Sequence, residues 1–270
     1  MIKDVIYFGE LGYFMHILGA LEYYLNKHPD IELSICTYKT YYEILKILFG
    51  NRIHKWDIVP LHSKRAFHNC KYYDDNIQDI VTYKERLKTS NTLIHLLKLD
   101  TFLRKKSISY AGHKGLCWLR ITKPITYKTK FLEQKYKNKN IILFFFRNRT
   151  VDGFRNYNLD IETYIHTTIS YFNKINNKTY EPILWGVESN ISSNASCISD
   201  IKEFIYLCNI CFLFISCDSG LLDLALHANV KNYSIIEKKR QDRINKCNIN
   251  LFNYKLFDSK IMDEDIFLKS

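Results

Sequence analysis

Six consecutive apolar residues, Ile141-Ile-Leu-Phe-Phe-Phe146, offer no polar face to water. So short and uniform a run reads as a β-strand covered on both sides, the usual condition of a strand in a parallel sheet with helices on each face. Its surroundings fit. A polar loop from Arg147 to Asn158 leads to Asp160, a candidate helix cap, and then to Ile161, Tyr164, Ile165, Ile169 and Phe172 at helical spacing. Pro182-Ile-Leu-Trp185 predicts a strand, Asp200 to Cys208 a helix, Phe212 to Ser216 a strand, Leu221 to Ala228 a helix and Tyr233 to Ile236 a strand.

The start of the chain repeats the alternation. Val5-Ile-Tyr-Phe8 predicts a buried strand closed by Gly9, and Phe14, Ile17, Leu18, Leu21, Tyr24 and Leu25 a helix that His28-Pro29-Asp30 stops. Ile31 to Cys36 and Trp56 to Pro60 read as strands flanking a helix from Tyr41 to Phe49. Lys84 to Leu103 has the leucine spacing of a further helix, through Leu93, Leu96, Leu97 and Leu99. Strands alternating with helices imply parallel sheets. The expected architecture is α/β: two Rossmann-like domains, residues 1–134 and 135–270, their parallel sheets facing a central cleft. The polar stretch Lys135-Tyr-Lys-Asn-Lys-Asn140 marks the expected boundary.

Composition narrows the function classes. A chain of 270 residues that is 47% hydrophobic can bury a full core, which excludes disorder and a disulfide-stapled miniprotein. The net charge of +11 suggests partners that carry phosphate, whether nucleic acid, an anionic membrane or a nucleotide. Loading with Lys, Asn, Ile and Tyr also suits an AT-rich genome, such as that of a large DNA virus, and part of the lysine excess reads as solvated surface. The eight cysteines read as reduced thiols, several within apolar runs. Cys208-x-x-Cys211 lacks the second pair or histidines of a zinc site. No start resembling a signal peptide and no apolar run near ~20 residues is present, so a soluble, cytoplasmic protein without a membrane span is expected.

Three loops follow predicted strands, where ligands bind in open parallel sheets. In Gly9-Glu10-Leu11-Gly12, Glu10 reads either as a partner of the next helix's dipole or as a general base; the glycine spacing is not that of a dinucleotide fingerprint. Arg147, Arg149 and Arg155 crowd one loop, and their planar, permanent cations suit phosphate oxygens, although a solvated basic loop would look the same. In Cys217-Asp218-Ser219-Gly220-Leu221 the small residues let backbone N–H groups approach a phosphate at a helix start, or simply cap that helix.

Phe-Ile-Ser-Cys-Asp218-Ser219-Gly220-Leu-Leu-Asp223-Leu224-Ala225 resembles the DSGPMHLAxA signature of the lipopolysaccharide heptosyltransferase-like glycosyltransferases. Gly9-Glu10-Leu-Gly12-Tyr13-Phe-Met is similar to the GExGWEL opening of related glycosyltransferases, and Arg147-Asn-Arg149 with Arg155-Asn156-Tyr157 to their PRxR…RNW segment. Leu221, Asp223 and Tyr157 stand where these motifs have proline, histidine and tryptophan. The resemblance implies a GT-B fold and transfer of a sugar from a nucleoside-diphosphate sugar to a glycan, glycolipid or protein acceptor, inverting and without a metal or other cofactor. It implies Glu10 as the base, Arg147, Arg149 and Arg155 with Ser219 and Gly220 around the donor diphosphate, and Gly9, Gly12, His16, Asn156, Asp218 and Asp223 in support. Glu188, three residues past Trp185, is a candidate for the nucleotide ribose. Asp74-Asp75 and Asp263-x-Asp265 read as solvated charge clusters rather than metal ligands. Two other readings stand beside transfer: a non-catalytic nucleotide- or polyanion-binding protein, and a nucleic-acid binder using the Lys- and Tyr-rich stretch from His62 to Lys130. Sequence leaves the oligomeric state open.

Overall fold

The structure, a computed structural model, describes residues 2–7, 11–59, 92–94, 121–146, 161–185, 195–216, 220–235 and 255–256. It divides into two compact units, Met1–Ile125 and Thr126–Ser270. No helix among the described residues is long and apolar enough to cross a membrane.

The first unit alternates strand and helix: β1 (Ile2–Tyr7), α1 (Leu11–Lys27), β2 (Glu32–Tyr38), α2 (Lys39–Phe49), β3 (Ile53–Val59) and β4 (Thr92–Ile94). The strands form one sheet in the order β3-β2-β1-β4, and every pairing is parallel. In α1 the buried residues are Leu11, Phe14, Met15, Leu18, Leu21 and Leu25, the stripe that a helix lying on a sheet requires. Phe14 stacks on Tyr41 of α2 with ring centroids 4.3 Å apart. The carboxylate of Glu22 accepts hydrogen bonds from the Thr122 amide (2.6 Å) and hydroxyl (2.9 Å), which holds the segment carrying buried Ile121 and Ile125 to this unit.

One side chain closes the α1–β2 corner. Pro29 cannot continue α1, so the last carbonyls of that helix need other donors. The Arg52 guanidinium supplies them: Nη1 donates to Leu25 O (3.1 Å), Nη2 to His28 O and Ile31 O (both 2.7 Å), and Nε to Ile31 O (3.0 Å). Arg52 is delivered there by a short 3₁₀ turn, Gly50–Arg52, whose Gly50 has φ 57° and ψ −125°, a conformation open essentially to glycine.

Thr92–Ile94 corrects the helix expected from Lys84 to Leu103. The leucine spacing is genuine, but Thr92 and Ile94 are β-branched and pair with Asp4 and Val5 of β1, and tertiary pairing overrides local periodicity.

The second unit comprises α3 (Lys130–Lys135), β5 (Asn140–Phe145), α4 (Ile161–Asn176), β6 (Tyr180–Trp185), β7 (Ser196–Ile198), α5 (Ile201–Ile210), β8 (Leu213–Ser216), α6 (Gly220–His227), β9 (Asn232–Ile235) and β10 (Lys255–Leu256). Its parallel sheet runs β10-β9-β8-β5-β6-β7. The stretch Lys135–Asn140 is the turn from α3 into β5. Neither α3 nor β7 was expected: each is short, and β7 is set by its pairing with β6.

Strand β5 is buried on both faces, as its composition demands. Ile142, Phe144 and Phe146 join Tyr164, Ile165 and Phe172 of α4 in one core. On the opposite face Trp185 and Phe214, from the neighbouring strands, pack edge-on against Phe204 of α5 at 5.2 and 5.7 Å. Asp200 caps α5, its Oδ1 accepting from the Lys202 and Glu203 amides. Helices α4 and α6 close differently, with Asn177 (φ 49°) and Asn229 (φ 62°) in the left-handed region. In each the next amide bonds five residues back, Lys178 N to Asn173 O (3.3 Å) and Val230 N to Ala225 O (3.2 Å), which is the Schellman arrangement. Asparagine, the side chain that best tolerates this conformation, does here what glycine does elsewhere.

Arg52→Ala removes donors from three carbonyls. It should destabilise the first unit by ~1.5–3 kcal/mol, the range for charged hydrogen bonds. Arg52→Lys should recover less than half, because an ammonium cannot span the three acceptors. The urea midpoint of the first unit, at unchanged slope, measures both.

Candidate functional site

In each sheet the strand order reverses at one place, and in parallel sheets ligands bind outside the carboxyl ends of the strands at that place. In the first sheet the chain runs outward through β1, β2 and β3, and then β4 lands on the far side of β1. The reversal lies between β1 and β4. Gly9 and Glu10 lie outside the described residues, in the connection from the end of β1 at Tyr7 to the start of α1 at Leu11. Gly12 and His16 are on α1, in its first and second turns.

In the second sheet the chain runs outward through β5, β6 and β7, and β8 returns to the other side of β5. The reversal lies between β5 and β8, which end in register: Phe145 pairs with Ser216. Arg147 follows Phe145 by two residues and Asp218 follows Ser216 by two. Adjacent strands are ~4.8 Å apart, so the arginine-rich segment and the Asp218-Ser219-Gly220 segment depart from neighbouring points on one sheet edge. Arg147, Arg149, Arg155, Asn156, Asp218 and Ser219 lie outside the described residues, as do Glu188, which follows β6, and both aspartate pairs. Gly220 is the first residue of α6.

The local sequence explains this placement. Leu213-Phe-Ile-Ser216 is buried along its whole length and so carries β8 through the core to the edge. Leu221, Leu222, Leu224, Ala225 and Leu226 then bury α6 on its return. Asp223 lies in the first turn of α6, where a carboxylate complements the positive end of the helix dipole. His227, one turn on, donates from Nδ1 to the Asp223 carbonyl at 2.7 Å, which fixes its tautomer.

Sequence reasoning missed a cavity of about 390 Å³ lined by Glu162, Thr163, Ile165, His166, Ile169, Pro182 and Ala195. It runs along the first half of α4. The available signal was the Glu162 and His166 pair, one helical turn apart. It contains none of the site candidates named from the sequence.

No family model matches this sequence, and no curated protein sequence matches it. Among solved structures, the chain is similar to the glycosyl transferase family 9 protein from Veillonella parvula DSM 2008. That match covers 100% of this chain and 97% of the other at 12% identity and a TM-score of 0.53. It is also similar to the ADP-heptose lipopolysaccharide heptosyltransferase II of E. coli, covering 95% of this chain and 90% of the other at 10% identity and a TM-score of 0.50. The fold is therefore α/β and GT-B-like, built from two units with parallel sheets.

The Cys208-x-x-Cys211 pair belongs to the core. Both thiols are buried at the end of α5, and burial pushes Cys208 well above the ordinary 9.0 and Cys211 up to about 12. Cys211 Sγ–H donates to Cys208 O at 3.8 Å. Cys197 is exposed. A thiol alkylating reagent should therefore label Cys197 in the native protein and reach Cys208 and Cys211 only in denaturant, as peptide mass spectrometry would resolve. Both buried thiols hold their protons more tightly folded than unfolded. Their contribution is thus complete below the unfolded value of 9.0 and is lost as pH rises toward about 12. The slope is at most ~1.4 kcal/mol per pH unit for each thiol. Urea midpoints that fall from pH 8.5 upward in wild type, and less steeply in Cys211→Ala, are the expected result.

Proposed function

We propose that this protein is a glycosyltransferase that moves a sugar from a nucleoside-diphosphate sugar to an acceptor hydroxyl, with inversion and without a metal. The likeness of fold to a family 9 glycosyl transferase and to a heptosyltransferase supports the class. The observation that carries the site is the register of Phe145 with Ser216, because it starts the arginine-rich and Asp-Ser-Gly segments side by side where the strand order reverses.

In the proposed reaction the acceptor oxygen attacks the anomeric carbon, the bond from that carbon to the diphosphate oxygen breaks, and the nucleoside diphosphate leaves. Glu10 takes the acceptor proton. Arg147, Arg149 and Arg155 neutralise the charge that builds on the diphosphate, and the backbone N–H groups of Ser219 and Gly220 at the start of α6 bind its oxygens. These fixed cations and dipoles supply the stabilisation that a divalent ion provides in other enzymes. Glu188 accepts from the ribose hydroxyls. Gly9 and Gly12 support Glu10. His16, Asn156, Asp218 and Asp223 support these groups. The acceptor is a glycan, a glycolipid or a protein.

Nucleoside diphosphates should bind more tightly than nucleosides. Alanine at Arg147, Arg149 or Arg155 should weaken that binding at one position at least by ~1.5–3 kcal/mol in calorimetry. Equal affinity in all three variants would remove the arginine segment from the site.

Glu10→Gln preserves size and most hydrogen bonding but cannot take a proton. It should keep nucleotide affinity and thermal stability while turnover falls roughly 10²–10⁴-fold. Full turnover in this variant would return Glu10 to a partner of the α1 dipole. Turnover of wild type should survive EDTA, and strict dependence on magnesium or manganese would refute the metal-free mechanism. Diphosphate binding with no transfer to any of the three acceptor classes would favour the non-catalytic reading.

A further inference from the structure

The second sheet has another edge, where its strands begin, and that edge is knitted into one continuous rim. Asn232 Nδ2, at the start of β9, donates to Phe212 O (2.8 Å) at the start of β8. The Phe212 amide donates to Ile141 O (2.8 Å) in β5, and Asn140 Nδ2 donates to Thr179 O (3.2 Å) ahead of β6. Four adjacent strands are joined in this way, across a width of roughly 14 Å at ordinary strand spacing.

The rim is cationic and partly aliphatic. Lys137 and Lys139 precede β5, Lys174 and Lys178 flank the end of α4, and Lys231 precedes β9; all five are exposed. Ile175 is 51% exposed and Ile210 39% exposed, at the ends of α4 and α5 on the same rim. Two acids meet it among the described residues, both paired: Glu181 with Lys139 Nζ at 2.7 Å, and Glu203 with Lys135 Nζ at 2.6 Å just ahead of the rim lysines. Glu162, Asp200 and Asp223 stand at the opposite ends of their helices. The helix dipole accounts for Lys174, in the last turn of α4, but its influence fades beyond that turn. It leaves Lys137, Lys178 and Lys231 unexplained, and the two exposed isoleucines as well.

We propose that this rim docks the second unit on a bilayer surface rich in anionic phospholipid. Lysine ammonium groups meet headgroup phosphates as mobile point charges, while Ile175 and Ile210 enter the boundary between headgroups and acyl chains. A nucleic-acid surface fits less well: the described rim exposes no arginine, and isoleucine does not stack on bases. Docking by this rim leaves the carboxyl edge of the same sheet turned away from the bilayer.

The test is co-sedimentation of the full chain with vesicles of phosphatidylcholine alone or mixed with phosphatidylglycerol. Binding to the mixed vesicles only, weakening as salt rises, is expected. Each rim lysine removed should cost about fivefold in affinity, so Lys137→Ala/Lys178→Ala/Lys231→Ala should lose about 100-fold. Ile175→Ser/Ile210→Ser should lose about tenfold. The control Lys39→Ala/Lys55→Ala/Lys123→Ala changes net charge equally on the first unit and should keep most of the affinity. Thermal melts matching wild type certify that each variant is folded. Absence of binding to anionic vesicles, or equal loss in rim and control variants, overturns the proposal. So does tighter binding to duplex DNA or single-stranded RNA that the rim variants abolish.

Discussion

The pairing of β5 with β8 is the constraint on which the second unit depends. From Ile141 onward strand β5 is apolar, and it is covered by α4 on one face and by the layer holding Phe204 on the other. A strand so placed cannot slip by one residue without exchanging the side chains of its two faces. Its register with β8 is therefore held by core packing, and Phe145 and Ser216 end together at the edge. The segments that follow them need no contact with one another to begin as neighbours. In this way dispersion and burial in the core set where the proposed site begins.

Connections in both units rest on a few polar side chains that replace missing backbone partners. Arg52 gathers the carbonyls of Leu25, His28 and Ile31 where Pro29 interrupts α1. Glu203 accepts from Lys135 Nζ and Tyr136 Oη, both at 2.6 Å, and so ties α5 to the turn before β5. Tyr136 is buried beside that carboxylate, and its hydroxyl pKa is raised, first by burial and then by its hydrogen bond to Glu203. Asn177 and Asn229 close helices in a chain that has only 9 glycines. A composition rich in lysine and asparagine is thus not merely surface decoration.

The second sheet is also polarised. The acids Glu162, Asp200 and Asp223 lie at helix starts, toward the carboxyl edge, and Lys137, Lys139, Lys174, Lys178 and Lys231 lie at the opposite edge. For the proposed anionic donor at the carboxyl edge, nearby arginines and N–H groups matter more than the general charge of +11. Net charge alone favours phosphate-bearing partners without saying where they bind; the two proposals, a ligand edge and a docking edge, rest on how the charge is distributed.

Most of the elements were legible in the sequence because each has a strong local cause. Helical spacing from Phe14 to Leu25, ended by Pro29, gives α1, and the six apolar residues from Ile141 give β5. Position after a strand was also legible, so Glu10, Arg147 and Gly220 could be named as site candidates from sequence alone. Three things depended on tertiary structure. Thr92–Ile94 reads as helix by its leucines and is a strand because β1 offers it an edge. The short strand β7 exists through its pairing with β6. The strand order β8-β5-β6, which brings distant loops to one edge, is recorded by no local pattern. Periodicity carries the energy of a residue against its own element. Which elements become neighbours is decided by how their buried faces fit together, and that energy exists only once they have met.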